Sequence, residues 1–182
     1  MNMIFSFTKT KIPDLTIITP FFAEDHRGFF LKNFESNIFK ENGIDFVVTE
    51  CFESGSYQNT LRGLHFQRKN PQSKLVRAIT GEIWDVAVDL RKDSPTYKQW
   101  YGQVLSKDNR KMLYIPPGFA HGFFVLSEYA LVSYQCAGVY DKETDGGVLW
   151  SDTDINVTWP IPIGASPIIS ERDLDLLPLA AL

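Results

Sequence analysis

The sequence predicts an all-β domain, an antiparallel sandwich or barrel with a few short helices. Three observations predict it. About ten short apolar runs follow one another, each cut off by turn residues. Aromatic residues make up 14% of the chain, a share that suits a β-rich core filled by large inward side chains. Helical periodicity is scarce.

Each element has its own warrant. Strands are expected over 15–18, 29–34, 46–52, 75–79, 83–90, 100–105, 111–115, 122–126, 130–137 and 148–150, with a further apolar strand around Leu61 to Gln67. Thr80-Gly81 reads as a tight hairpin turn. In 83–90, Trp84, Val86 and Val88 alternate with Asp85, Ala87 and Asp89, which makes one face strongly apolar. Residues 36–42 suit about two helical turns, with Ser36 as N-cap and Gly43 as stop. The tail from Ser170 suits another short helix. Residues 4–7 are apolar without an evident place in a monomer, so they are expected to add a strand to a partner's sheet in a dimer.

A length of 182 residues suits one domain, 1–182, large enough to bury a core without a staple. The net charge of -4, with no basic stripe, argues against nucleic acid as a partner. No apolar run approaches the roughly 20 residues of a membrane span, and the start, broken by Ser6, Thr8 and Lys9, does not read as a signal peptide. Cys51 and Cys136 are too few for a disulfide framework and show no metal-ligand spacing, which suits reduced thiols in the cytoplasm.

Chemistry must come from few residues. Of three histidines, His26, His65 and His121, the last two interrupt apolar segments. His65 stands in Leu61-Arg62-Gly63-Leu64-His65-Phe66-Gln67, and His121 follows the rigid turn Pro116-Pro117-Gly118. The second segment matches Pro-x-Gly-x-x-His, a motif of the cupin superfamily of small β-barrels, many of which bind metal. A metal needs roughly three protein ligands, and the usual His-x-His pair with a following Glu is replaced here by His65-Phe66-Gln67. Acid–base chemistry fits better, because a neutral imidazole is a competent base near pH 7 once a carboxylate holds its tautomer. Asp173 and Asp85 are the two candidates, and the sequence leaves the choice open.

Several ordered segments resemble one family together. They include Asp25-His26-Arg27-Gly28-Phe29-Phe30, the His65 segment, Lys74-Leu75-Val76-Arg77, Gly81 to Asp89, Arg91 to Thr96, Ile115 to Phe123, Leu126 to Ala130 and Leu149-Trp150-Ser151-Asp152. Over nearly its whole length the chain resembles the dTDP-4-dehydrorhamnose 3,5-epimerases. The resemblance implies a cupin-type jelly-roll barrel, a homodimer, a nucleotide-sugar substrate, and neither metal nor redox cofactor. It implies His65 as general base, Asp173 as its paired carboxylate, Tyr134 as proton donor from the opposite face, and Lys74 near the keto oxygen. Arg27, Arg62, His121 and Arg172 match substrate contacts, Tyr140 an aromatic that stacks on the base, and Asp145 a position where the family tends to have Glu. Relatives include enzymes that invert C3 and C5 of the sugar and others that invert one alone.

Two departures bear on the substrate. Lys32 stands where the family usually has Glu, and Glu50-Cys51-Phe52 where it commonly has Gln-Asp/Glu-Asn. Both sites are expected near the ligand, with Lys32 and Glu50 able to offset each other as an ion pair. A changed nucleotide or sugar, such as a CDP-linked or deoxygenated one, follows as an expectation. The rival readings are a 3,4-ketoisomerase on the same barrel and a non-catalytic or metal-binding cupin.

Overall fold

The computed structural model of the protein describes residues 4–182. In chain order the elements are β1 (Ser6–Lys9), β2 (Thr16–Thr19), β3 (Phe21–Asp25), β4 (Gly28–Lys32), α1 (Ser36–Glu41), β5 (Val48–Tyr57), β6 (Leu61–Gln67) and β7 (Ser73–Thr80). There follow β8 (Glu82–Asp89), β9 (Trp100–Ser106), β10 (Met112–Ile115), β11 (Phe119–Val125), β12 (Tyr129–Ala137), β13 (Asp145–Gly147), α2 (Glu171–Leu174) and a final 3-10 turn, Leu179–Ala181.

Six strands form one sheet in the order β1-β2-β10-β7-β12-β5, and five form a second, β13-β6-β11-β8-β9. The paired strands are antiparallel. Side chains of both sheets meet in a common interior: Val76, Ala78, Leu113, Val132 and Tyr134 from the first, Ile83, Ala87, Leu105, Phe119 and Phe123 from the second. This is the two-sheet barrel the sequence predicts. The hairpin β3-β4 forms a separate two-stranded sheet.

Both sheets also carry covered outer faces. The apolar face of β8 turns outward, and Val86 and Val88 pack with Trp84 against Val148, Ile155, Val157, Trp159 and Leu179 of the C-terminal segment. The alternate positions, Asp85 and Ala87, therefore point into the barrel. Outside the six-stranded sheet, Phe39 of α1 packs with Ile18, Phe46, Leu75 and Met112.

The structure corrects several local expectations. Residues 4–7 have a place within the chain: β1 pairs with β2, and the rings of Phe5 and Phe7 lie 5.9 and 5.3 Å from Phe39. Thr80-Gly81 is not a hairpin turn. The strand β7 pairs with β10 and β12 while β8 pairs with β9 and β11, so Gly81, at φ +72°, turns the chain from one sheet to the other. A Cβ there would lie 2.1 Å from the Tyr129 carbonyl oxygen.

The helix α1 starts one residue earlier than expected, at Ser36 itself. Glu35 is its N-cap and makes no side-chain cap bond, so the buried ring of Phe39 rather than a cap holds it. Residues 148–150 are not a strand. Val148 exchanges backbone hydrogen bonds with Leu64 at 2.9 and 3.2 Å, continuing β13, and the chain then leaves the sheet. At the tail, Ser170 caps α2 by accepting from the Asp173 N–H, as its side chain suggests.

Candidate active site

The sheet that carries His65 also carries His121, and the two are register partners on β6 and β11. Glycines make this close pairing possible. A Cβ on Gly63 would lie 2.6 Å from Gly122 Cα, and one on Gly122 would lie 2.5 Å from the Arg62 carbonyl oxygen. The backbones of β6 and β11 thus touch, and two imidazoles are set side by side in the barrel.

Each imidazole has its own carboxylate. His65 Nε2 lies 2.7 Å from Asp173 Oδ1, and His121 Nε2 lies 2.7 Å from Asp85 Oδ1. Both carboxylates left open by the sequence are used, one per histidine. Asp173 comes from α2, and its second oxygen accepts the Gly63 N–H at 3.0 Å. Burial pulls its pKa up, but the hydrogen bond and charge of His65, with the Gly63 N–H, outweigh this and hold it below the usual carboxylate range. A carboxylate only accepts, so Nε2 of each ring donates and Nδ1 carries the lone pair in the neutral ring. Asp85 is fully buried, and its Oδ2 has no hydrogen-bond partner among the described residues.

The facing sheet supplies the opposite wall. Lys74 on β7 is a register partner of Cys136 on β12, which in turn is opposite Glu50 on β5. Burial lowers the Lys74 pKa, against the opposing pull of Cys136, Asp145, Asp85 and Glu50. Burial pushes the Cys136 thiol up to about 11. Tyr134, two residues before Cys136 and on the same inward face, is 6% exposed. Burial, reinforced by the Asp85 charge, pushes its phenol well above the ordinary tyrosine value. Its ring stacks on Phe52 at 4.6 Å and meets the His121 ring edge-on at 5.9 Å.

Between the walls lies a cavity of about 320 Å³, lined among others by His65, Lys74, Glu50, Phe52, Tyr140, Asp145 and Arg172. At its mouth Asp145 accepts from the Tyr140 hydroxyl at 3.0 Å and from Arg172 at 2.8 Å. Arg62 opens instead on a second cavity of about 290 Å³, lined also by Asp173, and its Nε donates to Ser56 Oγ at 3.0 Å. Tyr134 and His121 are not among the residues lining the first cavity; Tyr134 adjoins it beside Phe52, its cross-strand partner.

Two expected contacts lie elsewhere. Arg27 sits at the tip of the β3-β4 hairpin, exposed, ion-paired with Asp25 at 2.6 Å, and faces a separate cavity. His26 shares that turn. Lys32, at the end of β4, pairs with Glu35, whereas Glu50 accepts from Gln72 Nε2 at 2.8 Å. The expected Lys32–Glu50 pair is therefore replaced by two separate partnerships, because Lys32 lies on the hairpin sheet and Glu50 inside the barrel.

Two supporting residues escaped the sequence reading. Gln67 holds the loop before Tyr140, donating to the Val139 carbonyl at 3.2 Å and accepting the Asp141 N–H at 2.9 Å. Gln72 donates to both Glu50 and the Gly138 carbonyl. Gln67 gives a signal, an amide closing an apolar strand, and it is buried; Gln72, in the loop before β7, gives none. Among the described residues, no group of three or more His, Cys, Asp or Glu side chains is arranged to hold a metal ion. No helix among them is long and apolar enough to cross a membrane.

Comparison with known proteins gives this geometry a family. A family model described as dTDP-4-dehydrorhamnose 3,5-epimerase matches residues 9–181. The dTDP-4-dehydrorhamnose 3,5-epimerase of Methanothermobacter thermautotrophicus is 49% identical over 175 residues, covering 96% of this chain and 95% of its own. The crystal structure of the Elizabethkingia anophelis dTDP-4-dehydrorhamnose 3,5-epimerase superposes with a TM-score of 0.92 at 41% identity, covering 97% of both chains. A Legionella pneumophila dTDP-6-deoxy-D-glucose-3,5-epimerase, solved in complex with dTDP-4-keto-L-rhamnose, gives 0.93 at 38% identity, covering 97% of this chain and 94% of its own. With a matching family model over nearly its full length and relatives close to half identical, the chain belongs to the dTDP-4-dehydrorhamnose 3,5-epimerase family.

Proposed function

We propose that the protein epimerises a nucleotide-linked 4-keto-6-deoxy sugar, dTDP-4-dehydro-6-deoxyglucose or a close variant, with residues 1–182 acting as one catalytic domain. The observation that carries this reading is the His65–Asp173 pair at 2.7 Å, opening on a cavity whose facing wall holds Lys74 and, behind Phe52, Tyr134.

The chemistry follows from the groups. A C–H beside a ketone becomes acidic because the charge left behind spreads onto the keto oxygen as an enolate. Asp173 accepts from Nε2 of His65 and leaves Nδ1 as the base that removes this proton. Lys74, as a cation in the facing wall, stabilises the enolate oxygen; a group of this kind acts most strongly where water is excluded. His121 serves the same oxygen only when Nδ1 also carries a proton, since Nε2 is committed to Asp85. Tyr134 then returns a proton to the carbon from the side opposite His65. Its raised pKa keeps the phenol protonated, as a donor must be.

Recognition uses the rest. Tyr140, half exposed at the mouth, offers a face for a nucleobase, and Arg172 and Arg62 offer guanidinium groups for a diphosphate. Arg27 supports a homodimer reading: within one chain it lies away from the cavity, so a diphosphate contact from it goes to a second copy's site. The exposed Phe29 and Phe30 beside it, 66% and 58% accessible, suit burial against that copy. The two free cysteines suit a reducing compartment, the cytoplasm. Glu50, in the cavity wall, supports a second reading, a CDP-linked or otherwise altered sugar nucleotide, inverted at C3 or C5 alone.

The test is solvent exchange in D₂O with dTDP-, CDP- and GDP-4-keto-6-deoxyhexoses. His65→Ala is expected to abolish deuterium uptake beside the ketone, and Tyr134→Phe to permit uptake while impairing inversion. Undiminished exchange in folded His65→Ala protein overturns His65 as the base, and a folded wild type that exchanges neither carbon overturns the reading in favour of a binding module. A clear preference for the dTDP sugar removes the altered-nucleotide reading.

A further inference from the structure

The inward face of β5 reads Glu50, Phe52, Ser54, Ser56, so one phenyl ring stands among polar side chains at the wall of a sugar site. Phe52 is the cross-strand partner of Tyr134, and the two rings lie nearly parallel, 16° apart, with centroids 4.6 Å apart. The phenyl ring is 46% exposed and lines the cavity, while the phenol ring behind it is 6% exposed. On its other side Tyr134 meets the His121 ring at 74°. His121 is itself fixed by Asp85. The phenol is thus clamped between a face and an edge.

We infer that Phe52 is a positioning residue that restrains Tyr134 and thereby sets the balance of inversion between the two carbons flanking the ketone. This rests on the proposed epimerase reading and deepens it. The two carbons occupy different places relative to any fixed donor. A phenol free to swing reaches each in turn. A phenol stacked in one orientation reaches one better than the other, so inversion at that carbon outruns inversion at its neighbour. Proton removal by His65 does not pass through Phe52. The side chain acts on the partition.

The experiment follows deuterium uptake and configuration at C3 and C5 separately by NMR, with dTDP-4-keto-6-deoxyglucose, for the wild type and the variants Phe52→Leu, Phe52→Met and Phe52→Tyr. Leu and Met fill the space without a ring to stack, and Tyr restores the stack. The wild type is expected to invert the two carbons unequally. Phe52→Leu and Phe52→Met should shift the ratio by about fivefold, the size of effect that one aromatic pair supports. Inversion at each carbon is scored against uptake at the same carbon, which cancels any change in substrate binding, and Phe52→Tyr keeps the wild-type ratio. An unchanged ratio in whichever of the Leu and Met variants folds, or loss of exchange and inversion in parallel, overturns the role of Phe52 while the epimerase reading stands. A wild-type enzyme that exchanges neither carbon overturns both.

Discussion

At the scale of single residues, function and stability are coupled through carboxylates that hold more than one donor. Asp173 accepts from His65 with one oxygen and from the Gly63 N–H with the other. Asp173→Asn cannot satisfy both in the same geometry: if the amide oxygen faces His65, an NH₂ group confronts the Gly63 N–H. If it faces Gly63, the NH₂ group confronts Nε2 and favours the wrong tautomer. Exchange rates are expected to fall by roughly 10²–10⁴-fold, the range typical of a positioned acid–base group. The frustrated buried donor costs about 1–3 kcal/mol, measurable as a lower denaturant midpoint.

Asp89 illustrates the pH side. Burial raises its pKa, but hydrogen bonds from Arg91, Ser94 and Thr96 outweigh burial and hold it at about 2. A depressed carboxylate contributes stability that is present above its unfolded pKa near 3.8 and is lost as pH falls through the folded value. Unfolding free energy should therefore drop by about 2 kcal/mol between pH 4 and pH 2 on account of this group alone. Urea titrations should show a shallower acid slope in Asp89→Asn than in the wild type.

At the scale of elements, the site depends on two strands approaching more closely than side chains allow. Gly63 has φ +114°, and a Cβ there would lie 2.6 Å from Gly122 Cα and 2.7 Å from the His121 carbonyl oxygen. Backbone cannot give way as a flexible side chain can, so Gly63→Ala forces β6 from β11 and separates His65 from His121. Together with the unfavourable φ, a loss of about 2–4 kcal/mol is expected, readable as a fall in Tm. The same contact explains what the sequence made legible. Arg62-Gly63-Leu64-His65 announces a glycine and an imidazole within an apolar strand, but not that the glycine meets another glycine 59 positions on. The strands with strong alternation, β8 and β12, were readable because their period follows from half-buried pleats. The short, exposed β1 and β3 carry no such alternation. Thr80-Gly81 misled because a glycine turn looks alike whether the chain doubles back or crosses between sheets. Asp85 and Asp173 were both visible as carboxylates, and only the register of β8 beside β11 and the cap by Ser170 assign one to each histidine.

At the scale of the whole molecule, one hairpin lies outside both barrel sheets. The β3-β4 pair stands as its own two-stranded sheet, anchored where Arg110 lies 3.5 Å over the Phe22 ring and Phe22 stacks on Phe29 at 5.5 Å. An isolated hairpin is marginal in water, and this one also exposes Phe29 and Phe30. A second copy offers both cover for those rings and a task for Arg27. In the homodimer proposed above each site would be a product of two chains, which a mixing experiment reads directly. Arg27→Ala and His65→Ala proteins are each expected to be nearly inactive as pure dimers. When they are unfolded together and refolded, the mixed dimer holds one site with an intact His65 from one chain and an intact Arg27 from the other. Activity should then return to about a quarter of the wild-type level for random pairing of two equal populations, since roughly half of the dimers are mixed and each has one complete site of two. If Arg27 serves the site of its own chain, no pairing assembles both groups in one site and the mixture stays inactive.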